Sequence, residues 1–237
     1  MFTRTQLILG KEGLSRLQSL KVVIFGIGGV GSWCAESLIR TGVMNLTLVD
    51  SDVVCHSNIN RQLHATHETI GKVKVDVMKS RLLSLNPDAH IEVVHKFYDE
   101  TTADDFHLEQ FDVIIDAIDS TESKILLMER ASALADRGVL FLSAMGAALK
   151  INASRIKTAD FWDVHGCPLA SRLRKQIRRT GRTVGHFKCV YSDEVLENRR
   201  EGLDLSGEQR ANGSLVHITA IYGMILTGEV VKSVMGE

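Results

Sequence analysis

A glycine-dense turn, Gly26-Ile27-Gly28-Gly29-Val30-Gly31, follows directly on the apolar run 22–25 and opens an amphipathic segment. No other feature constrains the fold as strongly. A chain that leaves a strand and enters a helix within a few residues needs torsions that glycine supplies, and the turn leaves backbone N–H groups at the helix start open to an anion. Such a turn belongs to a parallel sheet, and the rest of the chain repeats the alternation. Period and composition predict strands over 22–25, 46–49, 91–94, 113–115 and 139–143. They predict helices over 29–40, 67–84 (stopped at Asn86-Pro87) and 121–135, the last capped by Ser120. The expected fold class is therefore α/β, a Rossmann-like, doubly wound, mostly parallel sheet.

The last third reads differently. Residues 146–160 look hairpin-forming, 169–179 form a basic helix, 187–192 a strand, 197–212 a polar mobile loop, and 215–234 an apolar helix. No linker separates two independent units. The expectation is one domain over 1–237, with a nucleotide-binding core (1–145) and a C-terminal β-hairpin and helical extension (146–237) for substrate binding and dimerisation.

Composition removes several classes. With 44% apolar residues the chain can bury a sizeable core, and a formal net charge of -1 argues against wholesale coating of nucleic acid. The four cysteines, Cys34, Cys55, Cys167 and Cys189, form no C-x-x-C pair, which speaks against a disulfide framework or a four-thiolate zinc site. The stretch 215–226 is interrupted by His217, Thr219 and Gly223 and is too short for a bilayer, and no leader-like N-terminus is seen. The expectation is a cytoplasmic protein without a membrane partner.

Polar residues recur just beyond the predicted strands. Gly26, Gly28, Gly29 and Gly31 suit phosphate, although the turn alone serves NAD, FAD and ATP equally. Asp50, at the end of the second strand, suits a ribose; Asp52 follows. Asn58, Arg61 and Gln62 come next, then Lys74. A dehydrogenase has little use for an arginine and a lysine here, whereas a triphosphate needs its charge neutralised. Asp116 and Asp119 bracket the end of the fourth strand, where one acid is expected to meet Mg²⁺ and the other reading is a helix cap. Residues 164–192 contain no Asp or Glu but carry Arg172, Arg174, Lys175, Arg178, Arg179 and Arg182. A one-sign run in a near-neutral chain points to an RNA backbone. No cysteine has a neighbour that marks a lowered thiol pKa, so covalent cysteine catalysis is not expected.

These residues resemble the ubiquitin-activating-enzyme-like adenylyltransferases, the ThiF, MoeB and HesA proteins. The similar segments are the glycine turn, Asp50-Ser51-Asp52, Asn58-Ile59-Asn60-Arg61-Gln62, Gly71-Lys72-Val73-Lys74 and Asp116-Ala117-Ile118-Asp119. Within that superfamily the chain is similar to the branch that dehydrates threonylcarbamoyladenosine in tRNA. Phe2-Thr3-Arg4, Leu9-Gly10, Arg40-Thr41-Gly42, Pro168-Leu169-Ala170, Cys189-Val190-Tyr191-Ser192 and Gly213-Ser214 carry that likeness. The branch's Gly-Ala-Gly-Gly pattern stands here as Met145-Gly146-Ala147-Ala148. The resemblance implies ATP and Mg²⁺ as cofactors and cyclisation of the modified base through its carboxylate. It implies Asp50 on the ribose, Asn58, Arg61 and Lys74 on the phosphates, and Asp119 on Mg²⁺. It also implies a homodimer in which Arg4 reaches the partner's nucleotide, and leaves room for a sulfur-relay partner of the cysteine-desulfurase type. Two alternatives remain: adenylation of a ubiquitin-like sulfur carrier, and an NAD(P)-dependent oxidoreductase.

Overall fold

A computed structural model describes residues 1–199 and 212–236. Seven strands form one sheet: β1 (Lys21–Phe25), β2 (Asn45–Val49), β3 (His90–Val94), β4 (Val113–Asp116), β5 (Leu140–Ala144), β6 (Ile156–Asp160) and β7 (Lys188–Ser192). Their order is β3-β2-β1-β4-β5-β7-β6, parallel throughout except that β6 runs antiparallel to β7. The central strands β1 and β4 are apolar on both faces because helices cover both, which is why they read as continuous runs. The helices are α1 (Thr3–Ser19), α2 (Gly31–Thr41), α3 (Lys74–Leu85), α4 (Thr121–Ser132), α5 (Pro168–Thr180) and α6 (Val216–Met235).

Three sequence expectations need correction. The helix expected from residue 67 begins at Lys74. Gly71 turns the chain at φ +82°, its N–H bonds the Val54 carbonyl, and Val73 pairs with Val53 in an isolated bridge. Those commitments hold 67–73 out of the helix and put Lys74 in its first turn. The expected hairpin over 146–160 is absent. β6 instead pairs with β7 on the far side of α5, so the pairing is long-range and invisible to local turn chemistry. Ser120 stands at the start of α4 but makes no side-chain cap bond. The N-terminus is a helix, kinked at Gly10 (φ +71°, ψ 176°), which buries Leu9, Leu14 and Leu17. The mobile loop expected over 197–212 falls mostly on 200–211, outside the described residues.

α6 is 20 residues long and apolar enough, by length and composition, to cross a membrane, yet half of it is buried within the fold. Ile218, Tyr222, Leu226 and Val230 recur every fourth residue and face α2 and the sheet. Gly223 permits the close crossing: a Cβ there would lie 2.7 Å from the Cys34 nitrogen and the Val30 carbonyl oxygen. Through this contact the last helix braces the first turn of α2, which the glycine loop enters.

Candidate active site

A cleft of about 430 Å³ opens at the carboxyl ends of β1, β2, β4 and β5, where parallel sheets bind ligands. Its floor is the glycine turn. Gly26 adopts φ +90°, and a Cβ there would meet the Ala117 carbonyl oxygen at 2.6 Å. A Cβ on Gly31 would fall 1.9 Å from the Gly26 oxygen. Both positions exclude any side chain, so the turn presses against the loop after β4. Gly28 and Gly29 face the cleft.

Asp50 ends β2 and anchors two backbones: one carboxylate oxygen accepts the Ile27 N–H at 2.7 Å, the other the Asp52 N–H at 2.8 Å. Burial raises its pKa, against the opposing pull of Lys74. Two of its roughly four acceptor sites are used, leaving capacity for a ribose hydroxyl. Lys74 is buried and bonds the exposed Asp52 at 2.7 Å. Arg61 donates to the Ser57 carbonyl at 2.7 Å and to Asn60 Oδ1 at 2.9 Å, which aims one guanidinium edge inward. Gln62 lines the cleft and is buried, and among the described residues neither its Oε1 nor the buried Tyr98 hydroxyl in the same lining has a partner. Orphaned buried polar atoms around a cavity are what a polar ligand would satisfy. Asp119 lies exposed on the cleft wall with no hydrogen bond or ion pair among the described residues.

Two expected members of this cluster are elsewhere. Asn58 does not line the cleft. Its Oδ1 accepts the Cys55 N–H at 3.1 Å and closes a tight turn, so it shapes the segment that carries Arg61. Asp116 is fully buried and turned away. One oxygen accepts the Ser143 hydroxyl at 2.6 Å and pairs with Lys124 at 2.8 Å; the other accepts the Ile118 N–H. Lys124 also donates to the Ile118 carbonyl at 3.1 Å. This closed network fixes the loop that presents Asp119. The strand-end signal is the same for both acids, and only burial separates them.

The basic helix divides in the same way. Arg174 donates to the carbonyls of Phe161 and Val164, both at 2.8 Å, and its guanidinium lies 5.7 Å from the Phe161 ring centre. Arg182 pairs with Glu100 and Glu129. Both are tied into the fold, contrary to the RNA-contact expectation. Lys175, Arg178 and Arg179 are exposed and unpaired among the described residues, and Arg172 reaches the cleft rim. Arg4 sits exposed on α1, away from this cleft.

The lining also includes Lys96 and Tyr98, which follow β3, and the segment 144–150 with Cys167 and Leu169 on the β5 side; of these, sequence reading missed Lys96, Tyr98 and Lys150 as site residues. Lys150 is buried, and Leu149 before it holds φ +59°, an unusual conformation for a branched residue. A lone lysine between Leu149 and Ile151 gave no periodic signal. Burial pushes the thiols of Cys34 and Cys189, neither of which lines the cleft, up to about 12. Among the described residues no three His, Cys, Asp or Glu side chains cluster as a metal site.

A doubly wound sheet with a glycine turn, a ribose-side acid, two cations and a free acid in one cleft defines a nucleoside-triphosphate enzyme of the α/β class. The ThiF family model matches residues 3–237, and the chain belongs to the ThiF family. It is 37% identical over 245 residues to the Bacillus subtilis tRNA threonylcarbamoyladenosine dehydratase, covering 100% of this chain and 95% of that one. It is 29% identical over 254 residues to the Escherichia coli dehydratase, covering 100% and 94%. The crystal structure of the E. coli enzyme in complex with ATP superposes with a TM-score of 0.86 at 29% identity, over 99% of this chain and 93% of that one.

Proposed function

We propose that this chain is an ATP-dependent tRNA threonylcarbamoyladenosine dehydratase that cyclises the modified base through its carboxylate. The observation that carries the reading is the convergence of the glycine turn, Asp50, Arg61, Lys74 and Asp119 in one cleft of a chain similar, end to end, to such dehydratases. ATP is a substrate. Its phosphates fit the turn at the start of α2, and its ribose fits Asp50. A carboxylate oxygen of the modified base attacks the α-phosphorus; the new C(O)O–P bond forms as the bond to pyrophosphate breaks, the electron pair leaving with pyrophosphate. A carbamoyl atom of the same base then attacks the activated carbonyl carbon. AMP leaves with the acyl–oxygen pair and a proton is released, so the base has lost one water.

Arg61 and Lys74 stabilise charge that builds on the phosphates, a contribution that needs fixed donors in a low-dielectric site. Mg²⁺ fits a lone exposed carboxylate beside phosphates, since it keeps few protein ligands; Asp119 would hold it, and the ion would supply further charge neutralisation. Residues 1–145 form the nucleotide-binding part, and 146–237 the extension that closes the cleft, receives tRNA and contributes to dimerisation. The exposed basic set is Arg172, Lys175, Arg178 and Arg179.

A homodimer with Arg4 acting in trans is supported by α1, which exposes Leu7 and Ile8 at 81% each beside Arg4. A mixture of Arg4→Ala and Asp119→Ala chains should then recover activity in mixed dimers. We place the enzyme in the cytoplasm with its tRNA. The test of function is mass spectrometry of nucleosides from modified tRNA incubated with protein, ATP and Mg²⁺. A base lighter by one water, with AMP and pyrophosphate formed, is expected. Pyrophosphate exchange driven by a sulfur-carrier C-terminus and not by tRNA would overturn the assignment, as would thermal stabilisation by NAD⁺ equal to that by ATP.

A further inference from the structure

The ammonium of Lys150 is an unbalanced charge. The residue is 5% exposed, yet it lines the same cleft as the glycine turn. Its Nζ makes one hydrogen bond among the described residues, to the Glu194 backbone carbonyl at 2.5 Å, and no ion pair. The nearby carboxylates are already engaged. Glu194 accepts the N–H groups of Ile151 and Asn152, both at 2.9 Å. Asp193 pairs with Arg155 at 2.8 Å and Lys157 at 3.0 Å. A buried ammonium has three donors and needs an anion; left alone it is costly. Burial pulls its pKa below the ordinary lysine value.

The segment is also held in place. Leu149, at positive φ, donates to the Gly213 carbonyl at 2.8 Å and accepts from the Leu196 N–H at 3.0 Å. Strain of this kind persists where surroundings over-determine it. The fold thus fixes a cation in the cleft that holds the glycine turn, where Arg61 and Lys74 already stand.

We propose that Lys150 binds the carboxylate of the modified base and orients it toward the α-phosphorus of ATP. The assignment rests on the dehydratase reading above. The cation neutralises the incoming carboxylate beside a polyphosphate, where two anions would otherwise repel, and fixes which oxygen attacks. Lys150 is a substrate-carboxylate site distinct from the nucleotide-phosphate site.

The test compares tRNA bearing threonylcarbamoyladenosine with the same tRNA whose carboxylate is converted to the primary amide. Binding of each is measured to wild type, Lys150→Met and Lys150→Gln, with ATP affinity measured beside it by thermal shift. Wild type should bind the carboxylate form tighter by roughly 10- to 100-fold, the range for a hydrogen bond to a charged group. Both variants should lose that preference, keep ATP affinity and lose turnover. Equal binding of the two tRNAs by wild type overturns the proposal without any variant. So does a variant that keeps the preference, or one whose ATP affinity falls while the preference stays, which would place Lys150 on the nucleotide. Should Lys150→Met not fold, Lys150→Gln, which retains a donor at the Glu194 carbonyl, decides. Failure of wild type to dehydrate the modified tRNA sinks the dehydratase reading instead, and the two failures are distinguishable.

Discussion

The two walls of the cleft are built by different means. The wall formed by β1, β2 and the segment to α3 uses short-range devices: a glycine turn, a strand-end acid, a cation in the first turn of a helix. The polar groups there are anchored within the first β-α-β unit and the segment after it, as Asp50 holds Ile27 and Asp52 and Asp52 holds Lys74. The opposite wall is assembled from distant parts of the chain. Glu194 clamps Ile151 and Asn152, and Gly213 and Leu196 hold Leu149. A local device tolerates change in the rest of the fold, whereas a long-range clamp works only once the sheet is complete. The proposed nucleotide site rests on the first kind of wall and the proposed substrate-carboxylate site on the second.

The largest effect should separate the two acids that flank the cleft floor. Asp116→Ala strands the buried Lys124, and breaking such a pair costs about 3–5 kcal/mol. In a chain of this length that lowers Tm by on the order of 10 °C, read by differential scanning calorimetry. Asp119→Ala should leave Tm within a degree or two, because the carboxylate is exposed and unpaired, while turnover falls about a hundredfold or more. Unchanged turnover in Asp119→Ala would reduce it to a helix-start residue; an unchanged Tm in Asp116→Ala would remove the buried network from the account.

Acid should loosen the two walls at different pH. His64, buried without a partner for either ring nitrogen, is held neutral with its pKa lowered to about 4 by burial and then by Lys74 and Arg81. The unfolded imidazole protonates near 6.5, so stability from this site is complete above that pH and falls as pH drops toward 4. The linked loss is about 3 kcal/mol. His64→Leu should flatten urea-denaturation midpoints over that window. Glu194 behaves otherwise: the N–H groups of Asn152 and Ile151 hold its carboxyl below the ordinary value. Its contribution is present above the ordinary glutamate range and is lost only as pH falls through the lowered value. Amide exchange should therefore speed up around His64 first. Simultaneous loosening would show that the walls are one cooperative unit.

The smallest effects concern the basic helix. Replacing Lys175, Arg178 and Arg179 by Glu should weaken tRNA binding and reduce the log–log salt slope by roughly 0.7 to 0.9 for each phosphate that is no longer neutralised. The ATP thermal shift should not change. Arg174→Ala should leave that slope alone and lower stability, since its guanidinium serves the Phe161 and Val164 carbonyls. Filter binding across salt concentrations checks both. A wild-type slope in the triple variant would make the exposed set a solvated face.

The sequence by itself determined the parallel sheet, the glycine turn and the nucleotide side of the cleft, because strand period, helix period and turn chemistry are local and each residue type carries its own torsional or hydrogen-bonding preference. It could not tell Asp116 from Asp119, or Arg174 and Arg182 from Arg178 and Arg179. Those pairs share type and spacing, and differ only in what lies against them after folding. The tertiary structure alone decided that 146–160 holds no hairpin and that Lys150 lines the cleft with no ion pair among the described residues. Each of those outcomes depends on β7 returning beside β5 after a full helix, and the contacts that such a return creates are written in no short stretch of the chain.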